Sequence, residues 1–237
     1  MIVLVDYDNV RPLDRNRGVV QVVEQIVRKL GVATLQAELR AHVRLYGGWF
    51  QEQRLSRGAQ RIAPAIQADF PRPISVSDAS GAARIMTSLE MAQSLECDPL
   101  GIFFNTYRER APQDNLQAKS LPFSGCANPS ACELSPLAGF LAAGQCTTVN
   151  CSAKVSDVLF RPEQKLVDAM LVVDLMHFAA QRREPLVVVS SDDDIWPGIH
   201  SAVVNGATVH HVQTISGRST PLSYSRLVAG KYFQYSM

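Results

Sequence analysis

Two short, purely apolar runs that each break off in acid set the narrowest limits on what this chain can fold into. Met1–Val5 ends in Asp6-Tyr7-Asp8-Asn9, and Leu186–Val189 ends in Ser190-Ser191-Asp192-Asp193-Asp194. Apolar runs without polar alternation predict strands buried on both faces, the condition of strands in a parallel sheet covered by helices. The polar residues then sit at the carboxyl ends of those strands, where open α/β sheets bind their ligands.

The intervening pattern agrees with an α/β sandwich. Val19, Val22, Val23, Ile26, Val27 and Leu30 recur at helical spacing, with Gly31 as the expected C-cap. Leu39–Tyr46 alternates apolar and polar residues and closes on Gly47-Gly48, which predicts a strand. A polar helix is expected over Gln51–Ala68, with Arg54, Arg57 and Arg61 on one face before Pro71 and Pro73. Residues 81–97 are expected as helix and Leu100–Tyr107 as strand. A long helix is expected over Glu163–Gln181, its apolar stripe formed by Leu166, Ala169, Met170, Val173 and His177. Pro197 suits the first turn of a helix over Ile199–Val204 that Asn205-Gly206 stops, and Ala207–Val212 reads as the last strand. Alternating strands and helices predict a mostly parallel sheet flanked by helices.

With 237 residues the chain suits one domain carrying an insertion. Residues 109–156 change character, rich in Pro, Ser, Gly, Ala and Cys with little periodicity, and read as that insertion. The formal net charge of +1 excludes a globally basic nucleic-acid wrapper and an acidic tail, so an anionic partner must meet a local patch. No apolar run reaches the ~20 residues of a membrane span, and the first five apolar residues are too few for a signal peptide. The expectation is a cytoplasmic protein with no membrane partner. Oligomeric state is not legible.

If the two acid-ending strands are neighbours, at least four carboxylates converge, which calls for cations or bound protons. Oxygen-only ligation selects Mg²⁺ or Mn²⁺, and such sites usually act on phosphate esters. For one cluster alone, helix capping is the plainer explanation, as by Asp194 ahead of Pro197. Two clusters, with Asp168 opening a third element, favour a site.

The set Val5–Asn9 (V-D-Y-D-N), Lys165–Asp174 (K-L-V-D-A-M-L-V-V-D), Ser190–Asp194 (S-S-D-D-D) and Asn205–Val209 (N-G-A-T-V) resembles the NYN branch of the PIN-like nucleases, over residues 1–47 and 160–213. The resemblance implies a Rossmann-like PIN fold and metal-dependent phosphodiester hydrolysis, usually of RNA, by a single domain spanning the chain. It makes Asp6, Asp168, Asp192 and Asp194 the catalytic, Mg²⁺- or Mn²⁺-binding quartet, with Asn9 beside them. Asp193 and Ile195-Trp196 stand where the family has a small residue and then Phe, which leaves open which two of the three aspartates coordinate. Asp174, six residues past Asp168 and about 240° round an ideal helix, is secondary.

A second reading stays open. Asp6-x-Asp8-x-Val10 also resembles the first motif of the haloacid-dehalogenase-like phosphatases, with Asp6 as nucleophile and Asp8 as general acid, and Lys165 and Asp192–Asp194 as the later Lys and acidic motifs. A third is a non-catalytic RNA-binding module of the same fold. For a polynucleotide, Asn9, Arg11, Arg15, Arg17 and Ser190 are the candidate contacts, since cations near the strand ends give sequence-independent grip. Arg54–Arg61 reads as a solvated face, and Tyr7, Tyr46 and Trp49 as stacking faces or packing. Only the resemblance leans to RNA over DNA. Cys126, Cys132, Cys146 and Cys151 form two pairs that could make a structural four-thiol zinc site, with free thiols as the alternative and Cys97 outside. None of the five histidines has catalytic spacing, and His177 reads as a core residue.

Overall fold

The computed structural model describes residues 1–35, 40–111, 116–119, 122–128, 131–181, 185–221, 224 and 230–237. In chain order its elements are β1 (Ile2–Asp6), α1 (Pro12–Arg15), α2 (Val19–Leu35), β2 (Arg40–Tyr46), β3 (Phe50–Gln51), β4 (Arg54–Leu55), α3 (Arg57–Asp69), β5 (Arg72–Asp78) and β6 (Gly81–Met91). There follow β7 (Tyr107–Arg110), α4 (Ser135–Ala143), α5 (Val155–Val158), β8 (Arg161–Gln164), α6 (Val167–Ala180), β9 (Leu186–Val189), α7 (Trp196–Val204), β10 (Val209–Gln213) and β11 (Tyr232–Ser236). Residues Met1–Tyr107 with Gln164–Met237 form one compact unit, and Arg108–Glu163 a second.

The first unit is an α/β fold on a seven-stranded sheet in the order β11-β10-β9-β1-β2-β6-β5. Every pairing is parallel except β5 with β6, an arrangement consistent with a Rossmann-like fold. β1 is central and buried throughout because both its faces are covered. Val3 and Val5 join one core with α2 and α3, whereas Ile2 and Leu4 join a second core with α6 and α7. β9 divides in the same way, which is why both strands are unbroken apolar runs in the sequence. The chain steps from β1 to β2 on one side and later returns to β9 on the other. The strand order therefore reverses between β1 and β9, and the carboxyl ends of these two strands border the crevice where such sheets bind ligands.

The helix over Val19–Leu30 forms with the expected stripe buried, but Gly31 does not end it. At φ 71° and ψ 165°, Gly31 kinks the chain, and helix resumes to Leu35 with the Val32 N–H donating to Asp78 Oδ2 at 2.7 Å. Of the strand expected over Leu39–Tyr46, Leu39 lies outside the described residues and Arg40–Tyr46 is strand. Pro197 stands in the first turn of α7, as expected.

Several elements differ from the sequence reading. The helix expected from Gln51 begins at Arg57, capped by the Ser56 hydroxyl accepting from the Ala59 N–H at 3.2 Å, while Gln51 and Arg54 lie in the β3–β4 ribbon. Arg54 therefore leaves the helical arginine stripe. Residues 81–91 are strand, not helix: Ile85, Thr87 and Leu89 are buried at alternate positions between β2 and β5. Leu100–Thr106 is irregular, and strand begins only at Tyr107. α6 starts at Val167 because Leu166 is left-handed at φ 69°, and Glu163 belongs to β8. Its buried face runs through Val167, Met170, Leu171, Asp174, Leu175 and Phe178, displaced from the expected stripe, so Val173 is exposed and His177 is a half-buried partner of Gln181, not a core residue. β10 is not the last strand, since β11 pairs outside it.

Candidate active site

The crevice between β1 and β9 is built by three polypeptide ends. β1 delivers Asp6, Tyr7, Asp8 and Asn9; β9 delivers Ser190 to Asp194; the first turn of α6 delivers Asp168. Asp6 is the most deeply set, at 3% exposure. Its Oδ2 accepts from the Ser190 hydroxyl at 2.9 Å and its Oδ1 from the Asn9 N–H at 3.3 Å. Burial, reinforced by the negative charges of Asp168 and Asp8, nevertheless pushes its carboxyl up to about 7.

Asp168 is raised first by desolvation and then by repulsion from Asp192 and Asp194. The four aspartates named from the sequence are thus electrostatic neighbours, linked through Asp168. None of them has an ion pair with Arg or Lys among the described residues, whereas their neighbours do. Asp8 accepts from Arg15 at 3.2 Å and, through Oδ2, from the Gly48 N–H at 2.8 Å; burial raises its carboxyl. Asp193 turns away to Arg218, whose Nη2 donates to its Oδ2 at 2.8 Å. Asp192 caps the short 3₁₀ turn Asp193–Ile195 by accepting from the Asp194 N–H at 2.9 Å.

Asn9 and Ser190 hold the crevice together. The Asn9 Oδ1 accepts from the Ser191 N–H at 2.9 Å and from the Thr214 hydroxyl at 2.8 Å, tying β1 to the segments after β9 and β10. Ser190 gives its hydroxyl proton to Asp6 and accepts from the Asp192 N–H at 2.9 Å, so one side chain spaces two of the carboxylates. Behind it, the Ser190 carbonyl accepts from His211 Nε2 at 2.9 Å, which fixes the tautomer and makes Nδ1 the acceptor for the Tyr232 hydroxyl at 2.7 Å. Burial lowers His211 to about 4, so it is neutral over the physiological range.

Of the remaining candidates, Arg11 and Arg17 flank the buried Asp14 at 2.8 and 3.8 Å, and Arg17 is the more exposed. The Lys165 N–H donates to the Thr106 carbonyl in the turn ahead of α6. Asp174 is fully buried and does not join the crevice. It accepts from the Tyr46 hydroxyl at 2.6 Å and the Glu96 N–H at 2.8 Å, with Arg44 at 3.6 Å. Trp49 is buried, its indole N–H donating to the Leu45 carbonyl at 2.9 Å, and Tyr46 is equally enclosed, so both pack. Arg218 and His211 escaped the sequence reading: nothing near Arg218 in sequence marks it, whereas the pair His210-His211 inside an apolar strand was a usable signal.

In the second unit, the Cys126 and Cys132 thiols are in hydrogen-bond contact, as are those of Cys146 and Cys151. Among the described residues no three His, Cys, Asp or Glu side chains are arranged to hold a metal ion, neither four thiols together nor the aspartates as they stand. The aspartates' donor chemistry still suits a hard divalent cation: oxygen ligands, mutual repulsion and no basic partner. The fold and crevice define a mostly parallel α/β protein with an acidic cluster at its topological switch point. No family model, curated protein or solved structure matches the chain. Among the described residues no helix is long and apolar enough to cross a membrane.

Proposed function

We propose that this chain is a metal-dependent nuclease of the PIN-like kind, related to the NYN branch, hydrolysing phosphodiester bonds in RNA. The observation that carries the reading is the set of four aspartates at the β1/β9 switch point, coupled in charge and without basic partners, while Asp8 and Asp193 beside them each have an arginine. Mg²⁺ or Mn²⁺ held by Asp6, Asp168, Asp192 and Asp194 would supply Lewis acidity and activate water for attack on phosphorus. The protein's own contribution is placement. Ser190 spaces Asp6 from Asp192, Asn9 locks the two strand ends, and His211 holds the Ser190 backbone. Arg17 offers charge toward a polyanion, and Arg15 and Arg218 stand at the rim on their acidic partners.

The pairing of Asp8 favours this reading over a phosphatase. A general acid must present a free carboxyl oxygen to the leaving group, yet Asp8 Oδ1 faces Arg15 and Oδ2 the Gly48 N–H. The test is cleavage of end-labelled single-stranded RNA and DNA with Mn²⁺ or Mg²⁺, against EDTA and Asp192→Asn, alongside a phosphomonoester assay. Metal-dependent scission of RNA that is lost in Asp192→Asn is expected. Phosphomonoester turnover with intact polynucleotide would replace the proposal by the phosphatase, and RNA binding without either activity by a non-catalytic module.

A further inference from the structure

Four of the five cysteines lie within the second unit, and their grouping there is local. Cys146 and Cys151 sit in one closed loop. Its base is tied by the Cys146 N–H to the Ala153 carbonyl at 2.8 Å, by the Val155 N–H to the Gly144 carbonyl at 3.2 Å, and by the Gln145–Lys154 bridge. Asn150, left-handed at φ 65°, turns the chain so that the Cys151 N–H reaches the Thr148 carbonyl at 3.0 Å. That turn brings the Cys151 thiol back onto Cys146. Cys126 follows Gly125 at φ 82° and donates its N–H to the Phe123 carbonyl at 3.0 Å, while the Cys132 carbonyl accepts from Ser135 at the start of α4. The four side chains are half-buried or exposed, so reagents reach them.

We propose that Cys126–Cys132 and Cys146–Cys151 are two independent dithiol/disulfide couples, each closing a short local loop on oxidation by a small-molecule disulfide. In the first couple the Cys132 thiolate is the attacking group, since the Leu134 N–H, the Cys126 thiol and the Ser135 hydroxyl and N–H all stabilise it and lower its pKa. In the second it is Cys146, stabilised by the Thr148 side chain and N–H and by the Cys151 thiol. The attacking sulfur bonds to one sulfur of the reagent and expels the other as thiolate. The paired cysteine, deprotonated, then attacks the mixed disulfide and expels the second thiolate. Two protein thiols and one disulfide become one protein disulfide and two small thiols, and the two protons leave with them. Cys97, exposed and without a thiol neighbour among the described residues, forms no such pair and serves as an internal control.

The sequence supplies a clean assay. Trypsin releases residues 120–154 with all four cysteines in one peptide, and Glu133 is the one acidic residue between the two pairs. The full chain is treated with glutathione disulfide, alkylated, and digested with trypsin and then with a glutamyl-specific protease. The expected result is two separate halves, each lighter by two hydrogens, with Cys97 alkylated. Cys132→Ser should abolish the first disulfide and leave the second intact. Halves that stay joined, four thiols that remain alkylatable, or one equivalent of zinc that shields all four until a chelator is added would each overturn the proposal. None of these outcomes depends on nuclease activity.

Discussion

Replacing Asp6 by Asn should stabilise the protein in alkaline, metal-free solution while removing its activity. The buried carboxyl rises from an ordinary 3.8 to about 7. A raised acid contributes stability that is complete below 3.8 and is lost as pH climbs through 7, so by pH 8 the wild type has forfeited about 4 kcal/mol by ionising Asp6 in the fold. An amide carries no charge at any pH. It keeps one carbonyl acceptor for either the Ser190 hydroxyl or the Asn9 N–H and loses the other, at about 1–2 kcal/mol. The variant should therefore exceed the wild type by about 2–3 kcal/mol at pH 8, which is about 5–10 °C in Tm for a chain of this size. At pH 5 Asp6 is already protonated in the fold, and the two proteins should be within about 1 kcal/mol of each other. Urea unfolding in EDTA, followed by the buried Trp49 and Trp196, checks this at both pH values. Taking the difference between chains at each pH removes titrations common to both. A variant no more stable than wild type at pH 8, or an advantage equal at both pH values, would refute the account of Asp6.

Two further outcomes follow from the other carboxylates. Asp193→Asn should leave RNA cleavage within about threefold of wild type, because that side chain is turned to Arg218, whereas Asp192→Asn should lose it; equal losses in a cleavage assay would put Asp193 in the reacting set. Asp174→Asn should cost about 2–4 kcal/mol in urea unfolding, since its amide must face the Tyr46 hydroxyl or the Glu96 N–H with a donor, yet leave cleavage intact where the protein stays folded.

What the sequence made legible follows from how many faces of each element are buried. β1 and β9 are covered on both sides, α2 buries one clean stripe, and each carries an unmistakable pattern. Strand β6 was hidden because Ala-Ala-Arg-Ile-Met-Thr-Ser-Leu-Glu-Met is rich in helix formers, and only its pairing between β2 and β5 makes it extended. β5 tolerates Pro73 as an edge strand, a position the sequence does not announce. The stripe of α6 was displaced because a buried face that includes Asp174 contradicts hydrophobic periodicity; the acid is tolerated there by Tyr46, Glu96 and Arg44. In the crevice, aspartates at strand ends were visible as a local pattern. The partners that sort them were not, because Arg218 reaches Asp193 across 25 residues and Thr214 reaches Asn9 across 205.

The Ser190–Asp6 hydrogen bond joins residues 184 apart, and that separation has a consequence for synthesis. At ordinary elongation rates the ribosome makes β9 about 10–40 s after β1, and until then Asp6 has neither Ser190 beside it nor Asp192 and Asp194 to complete its cluster. A nascent chain therefore has no cutting site while most of its own message is still being read. If RNA is the substrate, the order of strands in the sheet protects the template from its product.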